Sequence, residues 1–184
     1  MSMFDLTDNS QKALFARASR VRLLALDCDG ILTDGRIVYT SDGEQIQNFH
    51  VQDGLGLKLL NQAGIHLAII SSRTSTALSR RAGELGIDMV YQGRQDKVDT
   101  YKEILGRLGL ENHAVAYMGD DLIDLPLLRR SGFSLTVPDA PDQVKQNSDY
   151  VTSRPGGRGA VREACELILK ARNRWDELLG QFLS

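Results

Sequence analysis

Sulfur chemistry has little to work with in this 184-residue chain, and there is no cationic excess. Its two cysteines, Cys28 and Cys165, lie far apart with no C-x-x-C spacing, which argues against a zinc site and a disulfide framework. A cysteine-based phosphatase loop would want an arginine six positions after its cysteine, and Asp34 and Ala171 stand there instead. Cys28 is therefore expected to be a small buried filler. Lys and Arg number 22 against 24 Asp and Glu, so no nucleic-acid surface is indicated. No run approaches the roughly 20 apolar residues that span a bilayer. The first twenty residues carry Asp5, Asp8, Asn9, Ser10 and Gln11 where a signal peptide needs an apolar stretch, and a cytoplasmic location is expected. Internal repeats and low-complexity tracts are absent too.

What remains fits one globular domain over 1–184, with 42% apolar and 25% charged residues. Strand-like runs at Leu23–Leu26, Ile65–Ile70, Ile87–Tyr91, Ala114–Met118 and Phe133–Val137 alternate with helix-like segments. Asp53 is placed to cap a helix ending near Gly64, and Asp96 one ending near Gly109. Thr74–Leu85 and Leu122–Arg130 are two more, closed by Gly86 and Gly132. This alternation predicts an α/β fold: a doubly wound, mostly parallel, Rossmann-like sheet with helices on both faces. A hairpin insert, about residues 36–50, follows the first strand and turns at Asp42-Gly43. No other stretch is long enough for a cap domain. At the C-terminal tail, about 172–184, Trp175, Leu178, Leu179, Phe182 and Leu183 follow helical spacing.

The most informative residues are Asp27 and Asp29, which end the apolar run Leu23–Leu26 and lead into Gly30. Like charges this close repel, and burying them is costly without a cation or proton. A divalent metal supplies that compensation. In open parallel sheets ligands bind at the carboxyl ends of the strands. Asp27, Ser71 and the pair Asp120-Asp121 all fall at that edge, with Lys97 near the start of a following helix. An acid pair, a hydroxyl, a cation and a second acid pair suit phosphoryl transfer assisted by Mg²⁺. Asp27 is the expected nucleophile and Asp29 the general acid, then base. Ser71 would donate to a phosphoryl oxygen and Lys97 neutralise charge. Asp120 would complete the metal's carboxylates, oriented by Asp121 and Asp124. His50, beside a helix start, is a candidate anion contact. His66 and His113 fall at strand beginnings and read as structural.

Asp27-Cys28-Asp29-Gly30-Ile31-Leu32-Thr33 resembles the D-x-D-G-x-(L)-T motif of the haloacid dehalogenase superfamily. Ser71, Lys97 and Gly119-Asp120-Asp121-Leu122-Ile123-Asp124 match its other motifs in order. The lack of a lid insert resembles its capless subclass. Asp34-Gly35, the stretch Phe49–Gly54, Asp124-Leu125-Pro126 and Gly156–Glu163 are similar to the branch acting on 3-deoxy-D-manno-octulosonate 8-phosphate. That resemblance implies a cytoplasmic homotetramer making a lipopolysaccharide precursor, with Mg²⁺ held by Asp27, the backbone carbonyl of Asp29, and Asp120. It also implies substrate contacts from Asp29, His50, Val51, Gln52, Asp53, Gly54, Arg73, Arg81 and Lys97, Arg81 reaching a neighbouring subunit's site. A tail docked on a neighbour would then help cover the lidless site. The chain departs from the family pattern at Ser72, where glycine is usual, and at Gln52, where arginine is frequent. Arg73 favours the eight-carbon substrate, since relatives acting on nine-carbon keto-deoxy sugar acid phosphates tend to carry an acid there. A phospho-acceptor receiver domain is a weaker reading, because receivers lack an acid two residues after the phosphorylated aspartate. A non-catalytic domain is weaker still, because every catalytic position is filled.

Overall fold

The computed structural model describes residues 9–183. Asp5 and Asp8, on which the signal-peptide argument partly rests, lie outside the described residues, as does Ser184 of the tail. In chain order the elements are α1 (Asn9–Ala18), β1 (Leu23–Leu26), β2 (Val38–Tyr39), β3 (Gln45–Ile46), α2 (Val51–Gln62), β4 (His66–Ile70), α3 (Thr76–Leu85) and β5 (Met89–Tyr91). Then come α4 (Lys97–Leu108), β6 (Val115–Met118), α5 (Leu125–Leu128), β7 (Phe133–Thr136), α6 (Asp142–Gln146), β8 (Tyr150–Val151), α7 (Ala160–Ala171) and α8 (Trp175–Gly180).

Six strands form one parallel sheet in the order β5-β4-β1-β6-β7-β8. β1 lies in its interior, and Leu23, Leu24, Ala25 and Leu26 are all fully buried, as a strand covered on both faces requires. α2 packs on α7 and α3, and α7 on α1 and α8, while α4 packs on α5. The chain leaves β1 toward β4 on one side and returns from β5 to β6 on the other. The crevice between the carboxyl ends of β1 and β6 is therefore the topological switch point. The backbone N–H of Asp27 donates to the Met118 carbonyl there, at 2.9 Å, tying the two strand ends together.

Local chemistry explains most helix ends. Asp96 accepts from the N–H groups of Val98 and Asp99, and Gly109 closes α4 in the left-handed region. Ser75 caps α3, which Gly86 ends the same way. Asp53 is a correction. His50 holds the N-cap position of α2, while Asp53 is buried inside that helix. Its carboxylate accepts from the N–H groups of Gly159 (3.2 Å) and Arg162 (2.7 Å), so it caps α7 from across the α2–α7 interface. The helix expected over Leu122–Arg130 is also different: a 3₁₀ turn over Leu122–Asp124 precedes the short α5. The turn tightens because Asp124 folds back onto the N–H groups of Asp120 and Asp121, and Pro126 stands in the first turn of α5.

The hairpin exists but its strands are two residues each. Val38, Tyr39 and Ile46 are exposed, so little burial extends the pairing. No cap domain interrupts the described residues. α1, α6, β8 and α7 lie where the sequence reading named no element. α7 packs seven buried residues into the core, and the glycine-rich approach to it hides its start. In α8, Leu178 is buried and the Trp175 ring lies under Arg162 and Lys170, but Leu179, Phe182 and Leu183 are exposed. The apolar stripe of the tail thus divides between its own domain and open surface.

Candidate active site

Two turns bring the acids together. After β1, the Cys28 carbonyl accepts from the N–H groups of Ile31, Leu32 and Thr33, folding the chain back on itself. Thr33 Oγ1 accepts from Gly30 and Gly35 and closes this loop. Gly30, at φ +80°, leaves room for the Asp120 carboxylate, which a Cβ would overlap. Gly156 is needed for a similar reason: a Cβ there would overlap the Gly30 carbonyl, so the strap before α7 lies directly on the loop after β1. Cys28 is buried as expected, and burial pushes its thiol far up, which makes it inert.

Lys97 is almost fully buried between two carboxylates. Its Nζ lies 3.0 Å from Asp27 Oδ1 and 2.7 Å from Asp124 Oδ1. Burial pulls the Lys97 pKa down, but Asp27 and Asp124 outweigh it and hold the ammonium above its ordinary value. Asp124 is saturated: Oδ1 accepts from Lys97 and the Tyr117 hydroxyl (2.6 Å), Oδ2 from the N–H groups of Asp120 and Asp121. A carboxylate has about four acceptor sites, so Asp124 is an anchor rather than a free ligand. Asp121 is exposed and caps the 3₁₀ turn through Leu122 N–H.

The carboxylate oxygens of Asp27, Asp120 and Asp124 gather within 4.8 Å of one another. Burial, then Asp124, push Asp27 up from 3.8 to about 7, against the pull of Lys97. Asp120 rises to about 7 through burial and then Asp27, Asp124 and Asp121. One lysine against three convergent acids leaves a negative excess, and that is the condition a divalent cation relieves. The donor set is all hard oxygen, which suits Mg²⁺. Asp27 and Asp120 are the side chains placed to hold it. This carries a pH signature. Both carboxylates have folded pKa values above their unfolded ones, so their neutral forms stabilise the fold fully below about pH 4. That contribution is lost as pH rises through about 7. In EDTA the melting temperature should fall between pH 5 and 8, and saturating Mg²⁺ should raise it more at pH 8 than at pH 5. At 100 times its dissociation constant the ion adds about 2.7 kcal/mol. A Mg²⁺ increment independent of pH would mean that binding displaces no protons here.

A cavity of about 240 Å³ opens over these acids, lined by Asp27, Asp29, Ser71, Ser72, Arg73 and Asp120 among others. Ser71 is buried at its floor, with Oγ accepting from Arg73 N–H. Asp29 Oδ2 lies 3.5 Å from Arg73 Nε, while Oδ1 accepts from Gln47 Nε2 at 3.1 Å. Ser72, in place of glycine, is accommodated at the cavity wall. The other expected substrate contacts do not line this cavity. His50, Asp53, Gly54 and Arg81 line a separate small cavity between α2 and α3. Gly54 admits the Arg81 guanidinium where a Cβ would overlap it. Val51 is exposed, and Gln52 accepts from Arg154 at 3.1 Å. His66 and His113 are exposed, the latter beside Glu111. Sequence reasoning missed Tyr117 and Gln47. Tyr117 reads as one more apolar residue of β6, and Gln47 as one more polar residue flanking the hairpin turn.

A buried acid just past β1, a lysine bridging it to a saturated second acid on the β6 side, and a hydroxyl just past β4 define a phosphotransferase-type hydrolase site on a doubly wound sheet. The chain belongs to the haloacid dehalogenase-like hydrolases, whose family description matches residues 87–162, and to the particular family its curated relatives define. It is 42% identical over 168 residues to 3-deoxy-D-manno-octulosonate 8-phosphate phosphatase KdsC of Escherichia coli K12, covering 91% of this chain and 89% of the relative. The enzyme of that name from Moraxella catarrhalis, solved with magnesium, phosphate and KDO, superposes with a TM-score of 0.90 at 48% identity, covering 92% of this chain and 97% of that one. A cobalt-bound phosphatase from Haemophilus influenzae does so at 0.87 and 38%, covering 91% and 99%. No helix among the described residues is long and apolar enough to cross a membrane.

Proposed function

We propose that this chain is a Mg²⁺-dependent phosphatase that hydrolyses 3-deoxy-D-manno-octulosonate 8-phosphate to the free sugar acid and phosphate. The observation that carries the reaction class is Asp27, buried with one oxygen on Lys97 and its carboxylate facing the cavity that Asp29, Ser71 and Arg73 line. Asp27 attacks phosphorus; an aspartyl-phosphate bond forms as the ester P–O bond breaks. The departing sugar oxygen takes the proton of the Asp29 carboxyl. Asp29, now a carboxylate, takes a proton from water as the water oxygen bonds to phosphorus and Asp27 leaves. Ser71 donates to a phosphoryl oxygen, and Lys97 offsets the charge that builds on it. Asp27, Asp120 and the Asp29 carbonyl would hold Mg²⁺, which would supply charge neutralisation for the nucleophile and the phosphate. Arg73 offers a cation to the sugar acid's carboxylate, and the choice of the eight-carbon substrate rests on its standing where relatives acting on nine-carbon acids tend to carry an acid.

Phosphate release across a panel of sugar phosphates, with and without EDTA, tests this reading. The eight-carbon acid should lead the panel and EDTA should abolish release. A preference for a nine-carbon acid would overturn the substrate and leave the reaction class; undiminished release in EDTA would overturn the metal.

The homotetramer belongs to this proposal. His50, Val51, Gln52, Gly54 and Arg81 lie off the catalytic cavity of their own chain, and Leu179, Phe182 and Leu183 present apolar surface at the tail. Both features suit a neighbouring subunit whose site they complete. Truncation after Arg174 is expected to raise KM several-fold and weaken assembly in sedimentation measurements. Wild-type kinetics and assembly in the truncated protein would remove the tail from this scheme.

A further inference from the structure

The hairpin β2–β3 has little to hold it as a sheet, yet it places one side chain on the carboxylate assigned to proton transfer. Gln47, just past β3, donates through Nε2 to Asp29 Oδ1 at 3.1 Å. Its other end is also fixed: Oε1 accepts from Ser75 Oγ at 2.6 Å. The orientation of the amide follows from Asp29: a carboxylate only accepts, so the Gln47 NH₂ must face it, and the flipped amide would set oxygen against carboxylate. The amide oxygen is then left to accept the hydroxyl proton of Ser75, whose Oγ also accepts from the N–H of Leu78 as the N-cap of α3. The main-chain N–H of Ser75 in turn donates to Gln92 Oε1 at 2.6 Å, anchoring the cap to the end of β5. A neighbouring hairpin residue works on the same side of the cavity: Gln45 Oε1 accepts from Arg73 Nη2 at 3.3 Å. The two oxygens of Asp29 thus have different restraints. Oδ1 is held by the hairpin, and Oδ2 faces Arg73 at 3.5 Å.

We infer that Gln47 is a positioning residue for the leaving-group step: tethered to the α3 cap through Ser75, it sets the orientation of the Asp29 carboxyl over the catalytic cavity. Proton transfer at a bridging ester oxygen is sensitive to placement of the donor, and without Gln47 the Asp29 side chain is free to rotate toward Arg73. This inference rests on the acid role of Asp29 proposed above.

The test separates positioning from general damage by varying the leaving group. A sugar 8-phosphate releases an alkoxide that needs a proton; p-nitrophenyl phosphate releases a phenolate that departs without one. The quantity to read is kcat/KM with saturating Mg²⁺, because it runs only through the first irreversible step, formation of the aspartyl-phosphate. Gln47→Leu keeps much of the bulk of the side chain and removes both hydrogen bonds. It should lower kcat/KM for the sugar phosphate about 10- to 100-fold, with a loss for the aryl phosphate at least tenfold smaller. Equal losses on both substrates, or no loss on either, would each overturn the inference. Asp29→Asn is the control. If it shows no leaving-group split, the acid role of Asp29 has failed. If it shows the split and Gln47→Leu does not, only the positioning role has failed.

Discussion

Asp27→Asn should abolish phosphate release while making the metal-free protein more stable. The two effects have one cause. Burial and the Asp124 carboxylate make this site unfavourable for an anion, as the rise of Asp27 to about 7 records. A neutral amide of the same shape relieves that cost above pH 7, and the melting temperature in EDTA should rise by a few degrees. An amide also lacks the nucleophilic oxygen, so kcat should fall by more than about 10⁴-fold, the scale seen when a covalent nucleophile is removed. Rapid-quench labelling should find no acid-stable phosphoprotein in the variant. Mg²⁺ should stabilise it less than it stabilises the wild type, since one ligand carboxylate is gone. Retained turnover would remove the covalent mechanism, and a fall in metal-free stability would mean that the Lys97 ion pair outweighs the repulsion around Asp27.

Lys97→Met should be the most damaging single change to the fold at this site. Methionine fills similar volume, but Asp27 and Asp124 would then face each other with no cation between them. Breaking a buried pair by removing one partner costs about 3–5 kcal/mol, and for a chain of this size that is on the order of 10 °C in melting temperature. The loss should shrink at pH 5, where the remaining carboxylates protonate more readily, and Mg²⁺ should recover part of it. Turnover should fall by about 10²–10³-fold even at temperatures where the variant is folded, because the phosphoryl oxygens lose a fixed cation. Full turnover in a destabilised variant would assign Lys97 a purely structural role.

The hairpin and α7 show where reading the chain stopped. The Asp42-Gly43 turn and its flanking residues announced the hairpin, but not that Gln47 would reach Asp29. A glutamine's partner lies beyond any local spacing rule, 18 positions away here and 28 for Ser75. α7 is not announced in the sequence, because Gly156, Gly157 and Gly159 stand before it. What starts that helix is Asp53, 106 residues earlier, bonding to Gly159. The same carboxylate stands at a spacing that predicts a cap on its own helix, since a cap in sequence and a cap in space look alike until the partner is known. Tyr117 was likewise invisible, its hydroxyl being one atom on an otherwise apolar strand residue.

By itself the sequence determined the class of fold and named the candidate site residues: apolar runs alternating with helix-like segments, with Asp27, Asp29, Ser71 and Asp120 just past those runs and Lys97 at the start of a helix. These are legible because they depend on local spacing and on residue chemistry. Only the tertiary structure decided which groups are spent and which are free. Asp124 is saturated by Lys97, Tyr117 and two backbone N–H groups, Asp53 is committed to α7, and His50 and Arg81 stand in a different cavity from Asp27. The reason is physical: hydrogen-bond saturation and desolvation are set by neighbours in space, and a chain that folds over a parallel sheet takes most of those neighbours from far along its length.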